Sequence, residues 1–224
     1  EEPDPPPPPR RVQGPPPAPR DPEGTVITVA GSGEEGFADG PALTACFDNP
    51  CGMAVSDDGS VLIADTNNNR IRKLRDGMVT TLAGGEEGMQ DGTGDAARFR
   101  PTDIAIDLQG RYLVTDEENH RIRLVTSEGE TTTFAGSGEA GDADGPAATA
   151  AFALPAGVVA VCDGTVFLAD LQSNSIKMIS SGRVTRLAGG EGPGCVEGNS
   201  ASAQFSDYPC GIALHPDGAL IVAD

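Results

Sequence analysis

Apolar residues in this chain fall in short runs closed by Gly, Pro, Asn or Asp, and the most informative is Val61 to Leu74, VLIADTNNNRIRKL. Its first half ends at Asp65, a polar turn follows, and a second run opens with Arg70-Ile71-Arg72. Runs of this length, rich in β-branched residues and bounded by turn formers, read as strands, and none is long enough to display a helical period. The pattern returns as YLVTDEENHRIRLV at 112–125, as VFLADLQSNSIKMI at 166–179, and as LIVAD at 220–224. Asp65, Asp116, Asp170 and Asp224 therefore stand 51, 54 and 54 residues apart, a spacing that signals a repeat architecture.

Every unit carries five landmarks in one order. A β-rich run closing in Ala-Gly (26–31, 79–84, 131–136, 184–189) leads into a Gly-rich loop with an acid before Gly: Asp39, Asp91, Asp144 or Glu197. A lone aromatic follows, Phe47, Phe99, Phe152 or Phe205, then Pro50, Pro101, Pro155 or Pro209, an apolar strand, and the motif described above. Asp58-Gly59, Asp163-Gly164 and Asp217-Gly218 mark hairpin turns, with Gln109-Gly110 in the equivalent place. This gives an all-β chain with four antiparallel strands per ~53 residues. One such sheet cannot bury two apolar faces alone, whereas radial stacking does, so the expected fold is a β-propeller of four-stranded antiparallel blades. Repeat units are expected at about 32–84, 85–136, 137–189 and, incomplete, 190–224, giving about three complete blades plus partial strands at both ends. Val26 to Ala30 reads as the last strand of a blade. Because three blades and two pieces cannot close a ring, the sequence is expected to be a fragment, continuing past Asp224 with an Asn-x-Arg-Ile-Arg segment and about two more units. Made alone, such a segment is expected to associate or partly unfold through its exposed edges.

Asp65-x-x-Asn68-Asn69-Arg70-Ile71-Arg72 and Asp116-x-x-Asn119-His120-Arg121-Ile122-Arg123 resemble the NHL repeat, and the preceding loop and Phe-to-Pro segment extend the resemblance over about residues 25–224. The third copy departs, with Ser173, Asn174 and Ser175 in place of the Asn-His-Arg core. The resemblance implies a propeller of around six blades, used mostly as an interaction platform attached to other domains.

Residues 1–24 are of another kind, with uninterrupted proline at 5–9 and 15–17, and are expected to form a disordered, semi-rigid linker. Arg10, Arg11 and Arg20 also make this segment resemble a docking peptide for an SH3-like or WW-like module. The formal charge of −19 excludes attraction to a nucleic-acid backbone or an anionic membrane. Because the first 24 residues carry three arginines and five acids, about −17 of that charge stays with the remainder. No run approaches the ~18 apolar residues of a membrane span. The five cysteines, Cys46, Cys51, Cys162, Cys195 and Cys210, lack metal-ligand spacing and read as small buried thiols, which mildly favours an intracellular setting; a single disulfide is the alternative.

Internal recurrence argues for structure, so function is sought where units differ. Asp65, Asn68, Arg70, Asp116, Asn119, Arg121, Asp170, Asn174 and Asp224 form the structural motif, the aspartates accepting N–H groups in the turn that follows or pairing with Arg70 and Arg121. Arg72, Arg123 and Lys177 are expected on a solvated or salt-bridged blade face. The loop acids read as turn stabilisers in preference to Ca2+ ligands. No residue is assigned to catalysis, to metal or to a cofactor: only Asn49 and Asp103 at the inner-strand entrances could ligate, and neither histidine has an acid or nucleophile beside it. The pattern-breakers Asp103, His120, Leu171, Gln172 and Tyr208 are the candidate binding residues, with His120 read as an exposed turn position. The resulting expectation is a non-catalytic scaffold that binds a protein through its propeller loops; the alternative is part of a metal-dependent propeller hydrolase or lyase with its site in blades outside this sequence.

Overall fold

In a computed structural model of the chain, residues 24–206 and 208–224 are described. The Pro-rich segment and its proposed docking role thus lie, save Gly24, outside the described residues. The first blade comprises β1 (Gly40–Pro41), β2 (Pro50–Val55), β3 (Val61–Asp65), β4 (Arg70–Arg75) and β5 (Met78–Gly84). The second comprises β6 (Gly92–Thr93), β7 (Pro101–Ile106), β8 (Tyr112–Asp116), β9 (Arg121–Val125) and β10 (Glu130–Ala135). The third comprises β11 (Gly145–Pro146), β12 (Pro155–Ala160), β13 (Val166–Asp170), β14 (Ser175–Ser180) and β15 (Arg183–Gly189). The fourth unit supplies one hairpin, β16 (Gly211–Leu214) and β17 (Leu220–Ala223).

Each full blade is a four-stranded antiparallel meander with a two-residue strand from its leading loop paired outside the outermost strand, the order in the first being β1-β5-β4-β3-β2. Polar turn residues after each aspartate set the sharpest bend: Thr66–Asn68 and Glu117–Asn119 form single 3-10 turns, closed by Asn69 and His120 in the left-handed region. The inner strands lie side by side. A Cβ on Gly52 of β2 would meet Asp103 of β7, and one on Gly157 of β12 would meet Cys210 and Ile212.

Apolar seams join the blades. Phe99 is sealed between Leu62 and Ile71 of the first blade and Ile104 and Val114 of the second, and Phe152 fills the next seam against Leu113, Ile122, Val158 and Leu168. Phe47 and Phe205, where a full blade flanks one side only, are half-buried. Val26 to Ala30, expected as a strand, has no regular secondary structure and pairs with no strand among the described residues, and Val26, Ile27 and Val29 are exposed. The expectation of buried thiols is also corrected. Cys51, Cys162, Cys195 and Cys210 are exposed, Cys46 is half-buried, and all five are free; Cys51 lies on β2 and Cys210 immediately precedes β16. Among the described residues no helix is long and apolar enough to cross a membrane.

Candidate functional site

The turns after β3, β8 and β13 and the chain entering β2, β7 and β12 meet at one end of the blades. The motif aspartates build this meeting point. Asp65 Oδ1 accepts the Asp48 N–H at 2.8 Å, Asp116 Oδ1 that of Arg100 at 2.8 Å, Asp170 Oδ1 that of Ala153 at 2.7 Å, and Asp224 Oδ1 that of Ser206 at 2.6 Å. The aspartates therefore pin the chain that precedes the inner strand, with Asn68 and Asn119 tying the following turn to the same carboxylates at 3.0 and 2.7 Å.

Their charge is met on the third strand by a residue other than the one the sequence indicated. Arg70 and Arg121 donate to carbonyls, Asn68 O in one case and Met89 O and Ser137 O in the other, while Arg72, Arg123 and Lys177 face the aspartates. These three cations are fully buried and ion-paired, so of the two expected alternatives, a solvated or a salt-bridged face, the salt-bridged one is found. Strand alternation does place Ile71 and Arg72 on opposite sides, but the neighbouring blade covers one side and the blade's own leading loop covers the other. The loop acids complete each cluster: Asp39 holds Arg72 at 2.7 Å and accepts the Thr81 N–H, Asp91 holds Arg123 at 2.9 Å, and in the third blade Asp142 holds Lys177 at 2.7 Å. The first cluster is tightest, Arg72 to Asp65 being 2.6 Å, against 3.7 Å for Arg123 to Asp116 and 3.9 Å for Lys177 to Asp170. Burial pushes Asp116 and Asp170 up to about 6, opposed by their hydrogen bonds and the nearby cations.

The five pattern-breakers do not form one constellation. Asp103 replaces a glycine on β7, where Oδ2 accepts the Val158 N–H at 3.0 Å, and so staples the second inner strand to the third. Burial raises its carboxyl above the ordinary aspartate range, while N–H groups of Val158 and Ile104 pull it back. His120 is half-buried, its Nδ1 accepting the Leu154 N–H of the next blade at 3.4 Å, so the exposed-turn reading is revised. Leu171 donates its own N–H to Leu154 O at 3.1 Å, which brings His120 and Leu171 to the same crossing. Gln172 and Tyr208 project into solvent. The sequence missed Arg100, which spans the face by bonding Glu118 at 2.9 Å and the Asn67 side chain of the preceding blade at 3.4 Å. Its signal was available: Arg100 follows the plug Phe99 where the other units have Asp48, Ala153 and Ser206. Among the described residues no group of three or more His, Cys, Asp or Glu could hold a metal ion.

A family model described as NHL repeat matches residues 47–74 and 100–123, the inner strand through the third strand of the first two blades. NHL repeat-containing protein 2 of Bos taurus is 31% identical over 176 residues, covering 70% of this chain and 24% of the relative. An auxiliary nutrient binding protein of Bacteroides ovatus shares the fold at a TM-score of 0.65 and 18% identity, over 80% of this chain and 46% of that one. A streptogramin B lyase superposes with a TM-score of 0.55 at 15% identity, over 83% of this chain and 51% of the other. The chain spans between 21% and 28% of the length of the curated relatives it matches. Likeness at such low identity to both a binding protein and a lyase establishes the propeller fold alone.

Proposed function

We propose, on the premise that the chain belongs to the NHL-repeat family, that it is a non-catalytic module of a larger protein and binds a protein partner through the turn face. The carrying observation is how the polar groups of that face are spent. Asp48 is bonded to Asn67, Glu118 to Arg100, Glu117 to Thr102, and Asp103 to Val158, so these acids are held in internal hydrogen bonds. What projects from this fixed frame is Tyr208, 64% exposed, with Gln172 and the half-buried Leu171. A bonded polar frame that leaves an aromatic and an aliphatic side chain available suits a protein interface, where Tyr carries a large contact area at low entropic cost. A propeller hydrolase or lyase requires instead convergent acids or imidazoles able to leave their structural bonds.

Placing a photo-crosslinking side chain at Gln172 or Tyr208, and at Glu128 on the opposite end of the second blade, tests the reading in cell extract. One shared protein adduct from the first two positions and none from Glu128 is expected. Equal labelling from all three, or labelling from Glu128 alone, would contradict it.

A further inference from the structure

We propose that the cavity beside Arg121, at the junction of the second and third blades, is a seat for a neutral aromatic side chain, Phe or Tyr, presented by a flexible segment of a protein partner. Its lining shares no residue with the surface of Leu171, Gln172 and Tyr208, so it stands or falls separately from that reading. In the first blade the equivalent place is filled from within the chain. Arg70 opens β4, and its guanidinium touches the Gly85 backbone, a Cβ there lying 3.2 Å from Nη2. The same guanidinium lies over the ring of Phe37 from the leading loop, with Cζ 3.9 Å from the ring centroid.

By repeat equivalence Arg121 and Met89 take the places of Arg70 and Phe37. Arg121 keeps the glycine contact: a Cβ on Gly138 would lie 2.6 Å from Nη2, 2.9 Å from Nε and 3.0 Å from Cζ, near-equal distances that set Gly138 against the flat of the guanidinium. Its edge donates to Met89 O at 3.3 Å and Ser137 O at 3.0 Å. The ring is what this blade lacks. Met89 is 53% exposed, no aromatic ring lies over Arg121 among the described residues, and the buried Nε–H has no hydrogen-bond partner there. In its place is a cavity of about 510 Å3, walled by Met89, Phe134 and Ala148 and bordered by Asp91 and Ser137, a size in the range of small-ligand sites. In the third blade the same loop position holds Asp142, which pairs with Lys177 at 2.7 Å and with Arg186. Of the three full blades, therefore, the second is the one whose loop residue at this position answers no cation. A guanidinium face attracts an aromatic ring, and the Met89 thioether makes favourable contact with a ring edge. The formal charge of −19, with Asp91 in the lining, disfavours an anionic ring such as a nucleotide or an aromatic acid. The internal template, Phe37, arrives on a Gly-bounded loop, which favours a side chain on a chain segment over a free ring.

The probe is the blocked peptide Gly-Gly-Phe-Gly-Gly, titrated into the isotope-labelled full 224-residue chain and followed by nuclear magnetic resonance. Saturable shifts at the Met89, Gly136 and Ser137 amides are expected, with an upfield ring-current movement of the Arg121 Nε–H signal and binding at least about threefold weaker for the same peptide carrying Leu in place of Phe. Met89→Phe supplies the ring from within and is expected to abolish these shifts. Phe37→Ala empties the first-blade seat and is expected to add a second saturable set at Gly85 and Arg70. Equal binding of the Leu peptide, unchanged binding to Met89→Phe, or an Arg121 signal that stays in place would overturn the proposal. So would binding of N-acetylphenylalaninamide that the pentapeptide does not share, which would mark a site for a free aromatic molecule.

Discussion

Asp116 and Asp170 close β8 and β13 with no solvent contact, and burial lifts both to about 6 from an ordinary aspartate value of 3.8. Because the folded chain holds these protons more tightly than the unfolded chain, their contribution to stability is complete below about pH 3.8 and is lost as pH rises through about 6. Denaturant midpoints are therefore expected to fall between pH 4 and 6.5, and Asp116→Asn, which keeps an acceptor for the Arg100 N–H, is expected to remove part of that slope, on the order of 2 kcal/mol. An unchanged slope in the variant would assign the pH dependence to the surface charge. His120 is argued on the same scale. Its Nδ1 accepts one N–H from the next blade, so His120→Ala is expected to cost about 1 kcal/mol in urea unfolding, more than an exposed turn position would. The recurring aspartates were read from the sequence as N–H acceptors, although the N–H groups they accept belong to the chain before the inner strand and not to the turn that follows. Their cationic partners were not legible: Arg70 and Arg72 are both two-residue alternates of one strand, and only the leading loop folding back over Arg72 decides which cation is buried.

At the scale of the element, the strand runs, their turns and the plug phenylalanines were readable because each is announced locally, by β-branched runs, by Asp-Gly or by a lone aromatic before proline. What could not be read was which elements find a partner. Val26 to Ala30 is a β-rich run like those of β5 and β10, yet it pairs with no strand among the described residues. The seams convert this difference into energies. Phe99→Ala, at a sealed seam, is expected to cost about 3–5 kcal/mol, whereas Phe47→Ala, half-buried at the open junction, is expected to cost less than half as much. Equal losses in thermal unfolding would mean that the first junction is covered. Gly84 makes a sharper test, since it holds a positive φ and a Cβ there would collide with the Asn69 carbonyl oxygen. Gly84→Ala should cost about 3 kcal/mol, and Gly59→Ala, strained in φ but facing open space, about 1 kcal/mol.

For the whole molecule, repeat logic explains both the stability of the blades and the difficulty of reading function from them. Residues common to all units are absorbed by seams and ion clusters, and the units differ at scattered points, Asp103, Arg100, Leu171 and Tyr208, that meet only at the turn face or on the inner strands. Spacing drew attention to Asp103, Leu171 and Tyr208 but not to Arg100, and it did not reveal that Asp103 is spent on the Val158 N–H. That bond is where the interaction-module account and the metalloenzyme account part. Calorimetric titration of the full chain with Ca2+, Zn2+ and Mn2+ addresses the choice most directly. The account predicts no saturable heat at micromolar metal and no change when Asp103→Asn is introduced, while micromolar binding that Asp103→Asn abolishes would contradict it.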